Sequence, residues 1–137
     1  MTKYIIIILT VFFYQKIYAT ELTGFAKIVD GDTVHINSYK IRLEGIDAPE
    51  MKQKCKKDYL QISSLIGLNF QKEYFCGETA KKKLKEKIGK LQIKCISSGK
   101  DRYKRYLATC FSGKINLNKW MVRNGYAIAY RRYSKMY

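Results

Sequence analysis

Polar and apolar residues alternate in three short runs that follow an initial apolar segment of the chain. The runs cover residues 23–29, 34–37 and 39–43, with the letters DGD between the first two and a polar turn, NS, between the others. A period of two is typical of strands that bury one face, and Gly, Asp, Asn and Ser favour turns. The pattern therefore predicts a half-buried antiparallel sheet.

A helical period replaces this alternation in the middle of the chain. Ala80, Leu84 and Ile88 lie four residues apart among six lysines, and Gly89 follows directly. This apolar stripe predicts an amphipathic helix over residues 78–90 that ends at the glycine.

The last third of the chain contains further strand-like runs and a second helix. Strands are predicted over residues 91–96 and 106–111, and a last strand-like piece covers residues 126–130. Between them, Asn116 is a suitable N-cap for a short helix that ends at Gly125.

The order of these elements, three strands, a helix, two strands and a helix, indicates a mainly β fold. A five-stranded barrel of the OB type with helices fits this order, and such barrels bind oligonucleotides on one face. An α+β sandwich would also fit. Residues 51–75 have no clear period and are expected to form a loop bounded by cysteines.

The first nineteen residues have the layout of an export signal. Lys3 precedes an apolar run over residues 4–14, and Ala19 is a small residue at a suitable cleavage point. We therefore expect a signal peptide at residues 1–19, one domain at residues 20–137, and a secreted or periplasmic protein. An uncleaved membrane anchor is the alternative, although the run is shorter than the roughly 20 apolar residues of a membrane span.

The charge balance indicates a polyanionic partner. The chain has 27 Lys and Arg against 11 Asp and Glu, a net charge of +16. Removing residues 1–19 takes away Lys3 and Lys16 and no acid, which leaves +14. Because such an excess repels itself, we expect a polyanion, with nucleic acid the first candidate and an anionic lipid surface the second.

The four cysteines predict two disulfides, because an even count behind an export signal is typical of an oxidised protein. The local pattern favours Cys55–Cys76 and Cys95–Cys110, the latter joining two neighbouring strands. No C-x-x-C pair is present, so a zinc site is not indicated.

Acidic residues and an arginine alternate between the second and third strands and the segment after them. A hairpin there would bring Asp32 and Asp47 to one rim, with Arg42 on the strand between them and Glu50 close by. Carboxylates, a carbonyl and waters suit a hard cation such as Ca²⁺. A further carboxylate could deprotonate a water, and arginine could neutralise charge on a phosphate.

These segments resemble a known family. VDGDT, IRLEGIDAPE, DRYKR and WMVRNGYAIAYRRYS are similar to motifs of the thermonuclease (staphylococcal nuclease) family, at matching intervals over nearly all of residues 20–137. The resemblance implies an OB-fold nuclease that uses Ca²⁺ to hydrolyse DNA and RNA and leaves 3′-phosphate ends. No protein partner is implied, and we expect a monomer.

The resemblance also implies a set of metal ligands and a general base. Asp32 and Asp47 would be the side-chain ligands of Ca²⁺, and the backbone carbonyl of Ala48 would be the third ligand. Glu50 would activate the attacking water. Ala48 replaces a threonine of the founding member, which a carbonyl ligand tolerates.

Further residues would hold the substrate if the resemblance extends to their roles. Arg42 and Arg105 would bind the scissile phosphate and stabilise its transition state. Arg102 and Tyr103 would contact the terminal phosphate, and Tyr130 would pack against a base.

Three features depart from the family pattern or leave alternatives open. Lys104 stands where many relatives have a glycine, so a loop that needs a positive φ there would have to shift. Residues 59–71 resemble an insertion near the site. His35 lies in an alternating strand and is expected to be structural. Two other functions fit the charge: a noncatalytic OB-fold nucleic-acid-binding module, and a basic adhesion or membrane-associated protein.

Overall fold

The structure is a computed structural model that describes residues 19–61 and 69–130. The predicted signal peptide, apart from Ala19, lies outside the described residues. Among the described residues, no helix has the length and apolar character needed to cross a membrane.

Ten strands and two helices make up the described part of the chain. In chain order they are β1 (Thr20–Ile28), β2 (Thr33–Ile36), β3 (Tyr39–Leu43), β4 (Ile46–Asp47), β5 (Lys54–Gln61), β6 (Asn69–Phe75), α1 (Cys76–Ile88), β7 (Gln92–Lys100), β8 (Tyr106–Ser112), β9 (Ile115–Asn116), α2 (Leu117–Arg123) and β10 (Ile128–Ala129).

Five of the strands close into a barrel. The order β3-β2-β1-β7-β8 is antiparallel throughout, and β3 then pairs with β8 in parallel, with Ile41 opposite Tyr106 and Leu43 opposite Ala108. Since the sheet closes on itself, the predicted five-stranded barrel is confirmed and the α+β sandwich is excluded.

The barrel interior is filled by the alternate residues of its strands. Val34, Ile41, Leu43, Ile93 and Cys95 are fully buried, as the period of two predicts. One side of α1 covers this core with the predicted stripe of Ala80, Leu84 and Ile88. Burial of a large aliphatic side chain contributes about 1.5–3 kcal/mol relative to exposure. This stripe, and not the lysine-rich remainder of α1, therefore holds the helix on the barrel.

Helix α2 is attached to the barrel by a buried asparagine. The Nδ2 of Asn118 donates to the carbonyls of Glu44 (2.9 Å) and Ala108 (3.1 Å), and its Oδ1 accepts from the N–H of Cys110 (3.0 Å). A buried amide without partners would be costly, so these bonds define the position of α2. The predicted N-cap is also present, because the Oδ1 of Asn116 accepts from the N–H of Lys119 at 2.9 Å.

The expectation of a loop over residues 51–75 is wrong. Strands β5 and β6 form a separate antiparallel ribbon there, with Lys54 opposite Phe75 and Lys56 opposite Glu73. The described side chains of the ribbon do not alternate between buried and exposed, which is why no period of two was visible. Of the expected insertion at residues 59–71, residues 62–68 lie outside the described part of the chain.

Both disulfides have the predicted partners. Cys55–Cys76 joins the base of the ribbon to the first residue of α1. Cys95–Cys110 links two residues that face each other in the β7–β8 ladder, and both of its cysteines are fully buried.

Candidate active site

The loop between β1 and β2 is fixed by close packing and by its own hydrogen bonds. The Oδ1 of Asp30 accepts from the N–H of Asp32 at 3.0 Å. A Cβ at Gly31 would lie only 2.6 Å from the Cβ of Ala48 and 2.8 Å from that of Ala80, so a side chain has no room there. This packing holds Asp32 at the rim of the barrel.

Arg42 joins the two predicted metal ligands. Its Nη1 lies 2.6 Å from the Oδ1 of Asp32, and its Nη2 lies 2.8 Å from the Oδ1 of Asp47. The register of β2 and β3 brings this about, because Arg42 pairs with Thr33, the residue after Asp32. One guanidinium thus neutralises two carboxylates from different parts of the chain.

Asp32 is the buried member of this group. Its side chain is 7% exposed, against 48% for Asp47. The Oδ2 of Asp32 accepts from the N–H of Ala48 (3.1 Å), and its Oδ1 accepts from the hydroxyl of Thr33 (2.9 Å). Burial raises the pKa of the Asp32 carboxyl above its ordinary value, although the Ala48 N–H and the charge of Arg42 act against this rise.

The charge of Arg42 is stabilised by the same pairs. Burial lowers the pKa of its guanidinium, but the nearby carboxylates of Asp32 and Asp47 outweigh that effect and raise the pKa overall. Arg42 therefore stays charged at every pH at which proteins are normally folded.

The segment that carries Asp47 is held by the last described strand. Strand β10 pairs with β4, placing Ile128 opposite Asp47, and the N–H of Tyr130 donates to the carbonyl of Gly45 at 2.9 Å. Tyr130 is thus brought to the edge of the barrel where Asp47 lies.

Glu50 is positioned through its backbone. Its N–H donates to the Oε1 of Gln53 at 3.2 Å, and the N–H of Gln53 donates to the Glu50 carbonyl at 2.8 Å. Gly77 packs directly against this turn, since a Cβ there would overlap the Glu50 carbonyl and lie 2.8 Å from the Cα of Met51. The Glu50 side chain is exposed, and its carboxylate has no hydrogen bond or ion pair among the described residues.

Arg105 is oriented by Asp101, a residue without a predicted role. Asp101 Oδ2 accepts from the Nε of Arg105 (2.8 Å), and its Oδ1 accepts from the N–H groups of Arg105 and Tyr103 (2.9 Å each). Partial burial raises the pKa of Asp101, but these hydrogen bonds and the charge of Arg105 outweigh it and leave the pKa below its ordinary value.

A loop that needs a positive φ at position 104 does not have to shift to accommodate the lysine. Lys104 itself adopts the left-handed conformation, with a φ of 62°, and its N–H donates to the Asp101 carbonyl at 3.0 Å. The lysine therefore takes the backbone conformation that a glycine would take, and Arg105 keeps its contacts with Asp101.

The aromatic ring of Tyr103 lies between the two arginines of the loop. The guanidinium carbon of Arg102 is 4.8 Å from the ring centroid and that of Arg105 is 5.5 Å from it. Tyr103 is 62% exposed and Arg102 is exposed beside it, whereas Arg105 is half-buried beneath them.

The β3–β8 pairing that closes the barrel brings together the segments that carry the two predicted phosphate-binding arginines. Arg42 pairs with Leu107 in the parallel β3–β8 ladder, and Arg105 lies two residues before Leu107. Arg105 directly precedes β8, whose first residue, Tyr106, pairs with Ile41, the neighbour of Arg42. The closing ladder therefore brings the backbones of the two arginines near each other.

Comparison with known proteins places this site in a family. The model of the staphylococcal nuclease homologue family matches residues 40–137, which is more than half of the chain. The chain belongs to this family. The predicted family membership is thereby confirmed.

Two of the proteins similar to this chain are named as endonucleases. An uncharacterized endonuclease of Haemophilus influenzae is 34% identical over 113 residues, which cover 79% of this chain and 52% of that protein. An uncharacterized endonuclease of Escherichia coli O157:H7 is 30% identical, covering 98% of this chain and 77% of that protein. The succinoglycan biosynthesis protein ExoI of Rhizobium meliloti is also 30% identical, over 80% of this chain and 53% of that protein. The chain thus spans about half the length of two of these relatives.

Two carboxylates at the barrel rim could hold a hard cation such as Ca²⁺. Within residues 19–61 and 69–130, no group of three or more His, Cys, Asp or Glu side chains could hold a metal ion. Asp32 and Asp47 nevertheless converge on one cation, the guanidinium of Arg42, so the arrangement already accommodates positive charge. The remaining ligands would be a carbonyl and waters, an all-oxygen set of the kind that Ca²⁺ prefers.

The structure links some of the predicted site residues directly and leaves others separate. Asp32, Arg42, Asp47 and Ala48 are in contact. Arg102, Tyr103 and Arg105 form a second group, while Glu50 is joined to neither group by a hydrogen bond or ion pair in the described residues.

Three positioning residues were missed from the sequence. Asp101 had a readable signal, since an Asp that begins a turn commonly accepts hydrogen bonds from backbone N–H groups just after it. Thr33, which donates to Asp32, follows it directly in VDGDT. Gly77 had no signal, because its contact with Glu50 depends on how α1 packs.

Proposed function

We propose that this protein is a Ca²⁺-dependent nuclease that hydrolyses phosphodiester bonds of DNA and RNA and leaves 3′-phosphate ends. The observation that carries the proposal is the position of Arg42 between Asp32 and Asp47, at 2.6 and 2.8 Å. A phosphate-binding cation and two metal-binding carboxylates thus lie within contact distance of one another. The endonuclease names of two relatives support the same reaction.

The metal would be held by the aspartates at the barrel rim. Asp32, Asp47 and the Ala48 carbonyl would hold Ca²⁺, which when bound would neutralise charge on the phosphoryl oxygens. The N–H of Ala48 and the hydroxyl of Thr33 keep the Asp32 carboxylate in one orientation. The exposed Asp47 leaves the outer side of the site accessible to substrate.

Glu50 would act as the general base. Its carboxylate is exposed and has no partner in the described residues, so it is available to take a proton from water. The water oxygen forms a bond to phosphorus, and the bond from phosphorus to the 5′ oxygen breaks. That oxygen takes a proton from solvent water and leaves as a 5′ hydroxyl, and the phosphate, which now carries the oxygen of the attacking water, remains on the 3′ oxygen.

The two arginines would stabilise the charge that develops on the other phosphoryl oxygens. Each is now paired with a carboxylate, Arg42 with Asp32 and Asp47, and Arg105 with Asp101. Nη1 and Nη2 of Arg105, which have no hydrogen bond to the residues that the structure describes, can bind a phosphate oxygen while Nε stays on Asp101. Arg42 uses one N–H of Nη1 for Asp32 and one of Nη2 for Asp47, so it would bind phosphate either through its remaining N–H groups or after releasing an aspartate.

Export and a monomeric state belong to the same proposal. Two disulfides support an oxidising compartment, secreted or periplasmic, because such bonds rarely persist in the cytosol. The apolar run near the start of the chain supports a signal peptide at residues 1–19.

One observation favours the alternative of a noncatalytic nucleic-acid-binding module. Arg42 and Arg105 are both ion-paired with carboxylates of the chain itself. If these pairs kept the remaining N–H groups of both guanidiniums turned away from the substrate, the arginines would not stabilise a transition state, and the basic surface alone would bind nucleic acid.

The purified protein distinguishes the two functions on a labelled single-stranded oligonucleotide. We expect cleavage with Ca²⁺, none with EGTA, and 3′-phosphate ends on the products. Glu50→Gln should lower kcat by at least about 100-fold with little change in binding. The control is Glu21→Gln, which removes the same charge from an exposed pair with Lys94.

Two outcomes would contradict the nuclease. If the parent protein bound the oligonucleotide but did not cleave it at any Ca²⁺ concentration, the noncatalytic binding module would be favoured. If Glu50→Gln were as active as Glu21→Gln, Glu50 would not be the general base.

A further inference from the structure

Three lysines surround a pocket on the side of the barrel covered by α1. Lys27 of β1 and Lys81 and Lys85 of α1 line a cavity of about 310 Å³, together with the apolar residues Ala26, Ile28 and Ile88. Among the residues that the structure describes, no carboxylate lines this pocket.

The lysines of this pocket differ from their neighbours in having no counter-charge. Lys83 lies 2.8 Å from Glu86, and Lys82 lies 4.0 Å from the same residue. Within the described part of the chain, by contrast, the ammonium groups of Lys27, Lys81 and Lys85 have no hydrogen bond or ion pair. One side of α1 is therefore neutralised by its own acid and the other side is not.

This arrangement is unfavourable for the protein by itself. Lys81 and Lys85 are four residues apart on one helix, and like charges at that spacing destabilise a helix. Lys27 adds a third positive charge from the opposite wall. A polyanion would remove the repulsion, and the apolar floor would accept the less polar parts of a nucleotide.

The pocket adjoins the loop that carries Asp32. Ile28 lines the pocket and lies two residues before Asp30, so their Cα atoms are at most about 7 Å apart. Ala80, the residue before Lys81, is the one against which Gly31 packs. A strand of nucleic acid that leaves the barrel rim along α1 would therefore meet these lysines next.

We propose that Lys27, Lys81 and Lys85 form a second phosphate-binding site, which holds the polynucleotide backbone outside the candidate active site. The proposal rests on the proposed function for its ligand class, a single-stranded nucleic acid. The site binds the backbone without reading bases, because ammonium groups contact phosphates and the pocket offers no other polar side chain. Its role is to retain a long substrate, and it takes no part in bond cleavage.

The test measures binding separately from cleavage. A fluorescent 24-nucleotide single strand is titrated with the Glu50→Gln protein in EGTA at several salt concentrations. Adding Lys27→Gln, Lys81→Gln and Lys85→Gln should reduce the slope of log K against log salt by about 2, since each phosphate contact on a single strand contributes about 0.7. Affinity near 0.1 M salt should fall at least about tenfold.

The matched control removes three exposed lysines elsewhere, with Lys82→Gln, Lys114→Gln and Lys119→Gln in the same background. The control should change the slope by less than about 1. Thermal melting checks that each protein is folded, and the pair Lys81→Gln and Lys85→Gln serves if the triple variant is not.

The outcomes for the pocket and for the nuclease are separate. Equal weakening by the pocket and control variants would overturn the site, because total charge would then explain the binding. Tighter binding to vesicles of anionic lipid than to the oligonucleotide, lost in the pocket variant, would also overturn it. If the parent protein does not cleave but the slope still falls by about 2, the second site stands and the nuclease proposal fails.

With an active parent, cleavage supplies another readout. For this readout the three pocket substitutions are made in the protein that keeps Glu50. This variant should cut a trinucleotide with a kcat/KM within about twofold of the parent. Its kcat/KM on the 24-nucleotide strand should fall about tenfold, through KM. An equal fall on both substrates would contradict a retention role.

Discussion

Asp101 holds Arg105 by two bonds at once, one from the backbone N–H at 2.9 Å and one from Nε at 2.8 Å. The same carboxylate also accepts from the N–H of Tyr103. The Asp101 side chain therefore orients Arg105 and, together with backbone hydrogen bonds between residues 101 and 104–105, holds the conformation of the β7–β8 loop.

Asp101→Asn should consequently affect stability and activity together. Replacing a carboxylate that accepts three hydrogen bonds should lower the free energy of unfolding by about 1.5–3 kcal/mol, as for bonds to charged groups. Urea unfolding measures this change. In the proposed nuclease, kcat/KM should also fall at least about tenfold, because Arg105 loses its orientation, whereas Glu21→Gln should change neither quantity by much.

The stability difference between these proteins should depend on pH in a defined direction. The pKa of Asp101 is below its ordinary value of 3.8 in the folded protein, so the unfolded chain binds more protons between the two values. The stabilisation is complete above the unfolded pKa and is lost as the pH falls through the folded pKa. Urea unfolding should show a difference between parent and Asp101→Asn that is constant near pH 6 and shrinks below pH about 4. A difference that grew on acidification would contradict the assignment.

Lys104→Gly should stabilise the protein. The left-handed conformation costs a residue with a Cβ about 1–2 kcal/mol, and glycine avoids this cost at the expense of a larger unfolded-state entropy. We expect a net gain of about 0.5–1 kcal/mol in thermal or urea unfolding. Lys104→Ala is the control, since it removes the charge but keeps the Cβ. A gain in both variants would mean that charge, and not backbone conformation, is responsible.

Gly77→Ala should displace Glu50, although the two residues are far apart in the sequence. The added Cβ would overlap the Glu50 carbonyl, so the turn at residues 50–53 has to move, at a cost of about 1–3 kcal/mol. Activity should fall more than stability alone explains when both are measured at a temperature where the variant is fully folded. Glu78→Ala, at the next and exposed position of α1, should leave activity intact.

The two disulfides should differ in their rate of reduction. Cys95 and Cys110 are both fully buried in the barrel, whereas Cys55 is partly exposed at the base of the ribbon. Because a thiolate must reach a sulfur atom, dithiothreitol should reduce Cys55–Cys76 first. Alkylation followed by mass mapping at successive times gives the order, and prior reduction of Cys95–Cys110 in the folded protein would contradict it.

The barrel was readable from the sequence wherever burial produced a local period. In β7, Ile93 and Cys95 are buried and their neighbours are exposed, which is the alternation that predicts a strand. The stripe of α1 and the cap at Asn116 are equally local, since each depends on residues within one or two turns.

Features that depend on distant pairing were not readable. The ribbon of β5 and β6 has no consistently buried face among its described side chains, so its pairing leaves no hydrophobic pattern. The packing of Gly77 against Glu50 joins segments that only the fold brings together. The conformation of Lys104 was missed for a different reason, because residue type alone argued against a positive φ that the Asp101 hydrogen bonds impose.

The pairing of β10 with β4 has a consequence for how the protein is made. Asp47 is supported by Ile128, a residue that the ribosome adds 81 positions later. At about 5–20 residues per second, the nascent chain carries both aspartates and Arg42 for roughly 4–16 s before that support exists. The rim that carries Asp32, Arg42 and Asp47 is therefore completed late in synthesis, and an incomplete chain would present these acidic and basic side chains without the geometry that joins them.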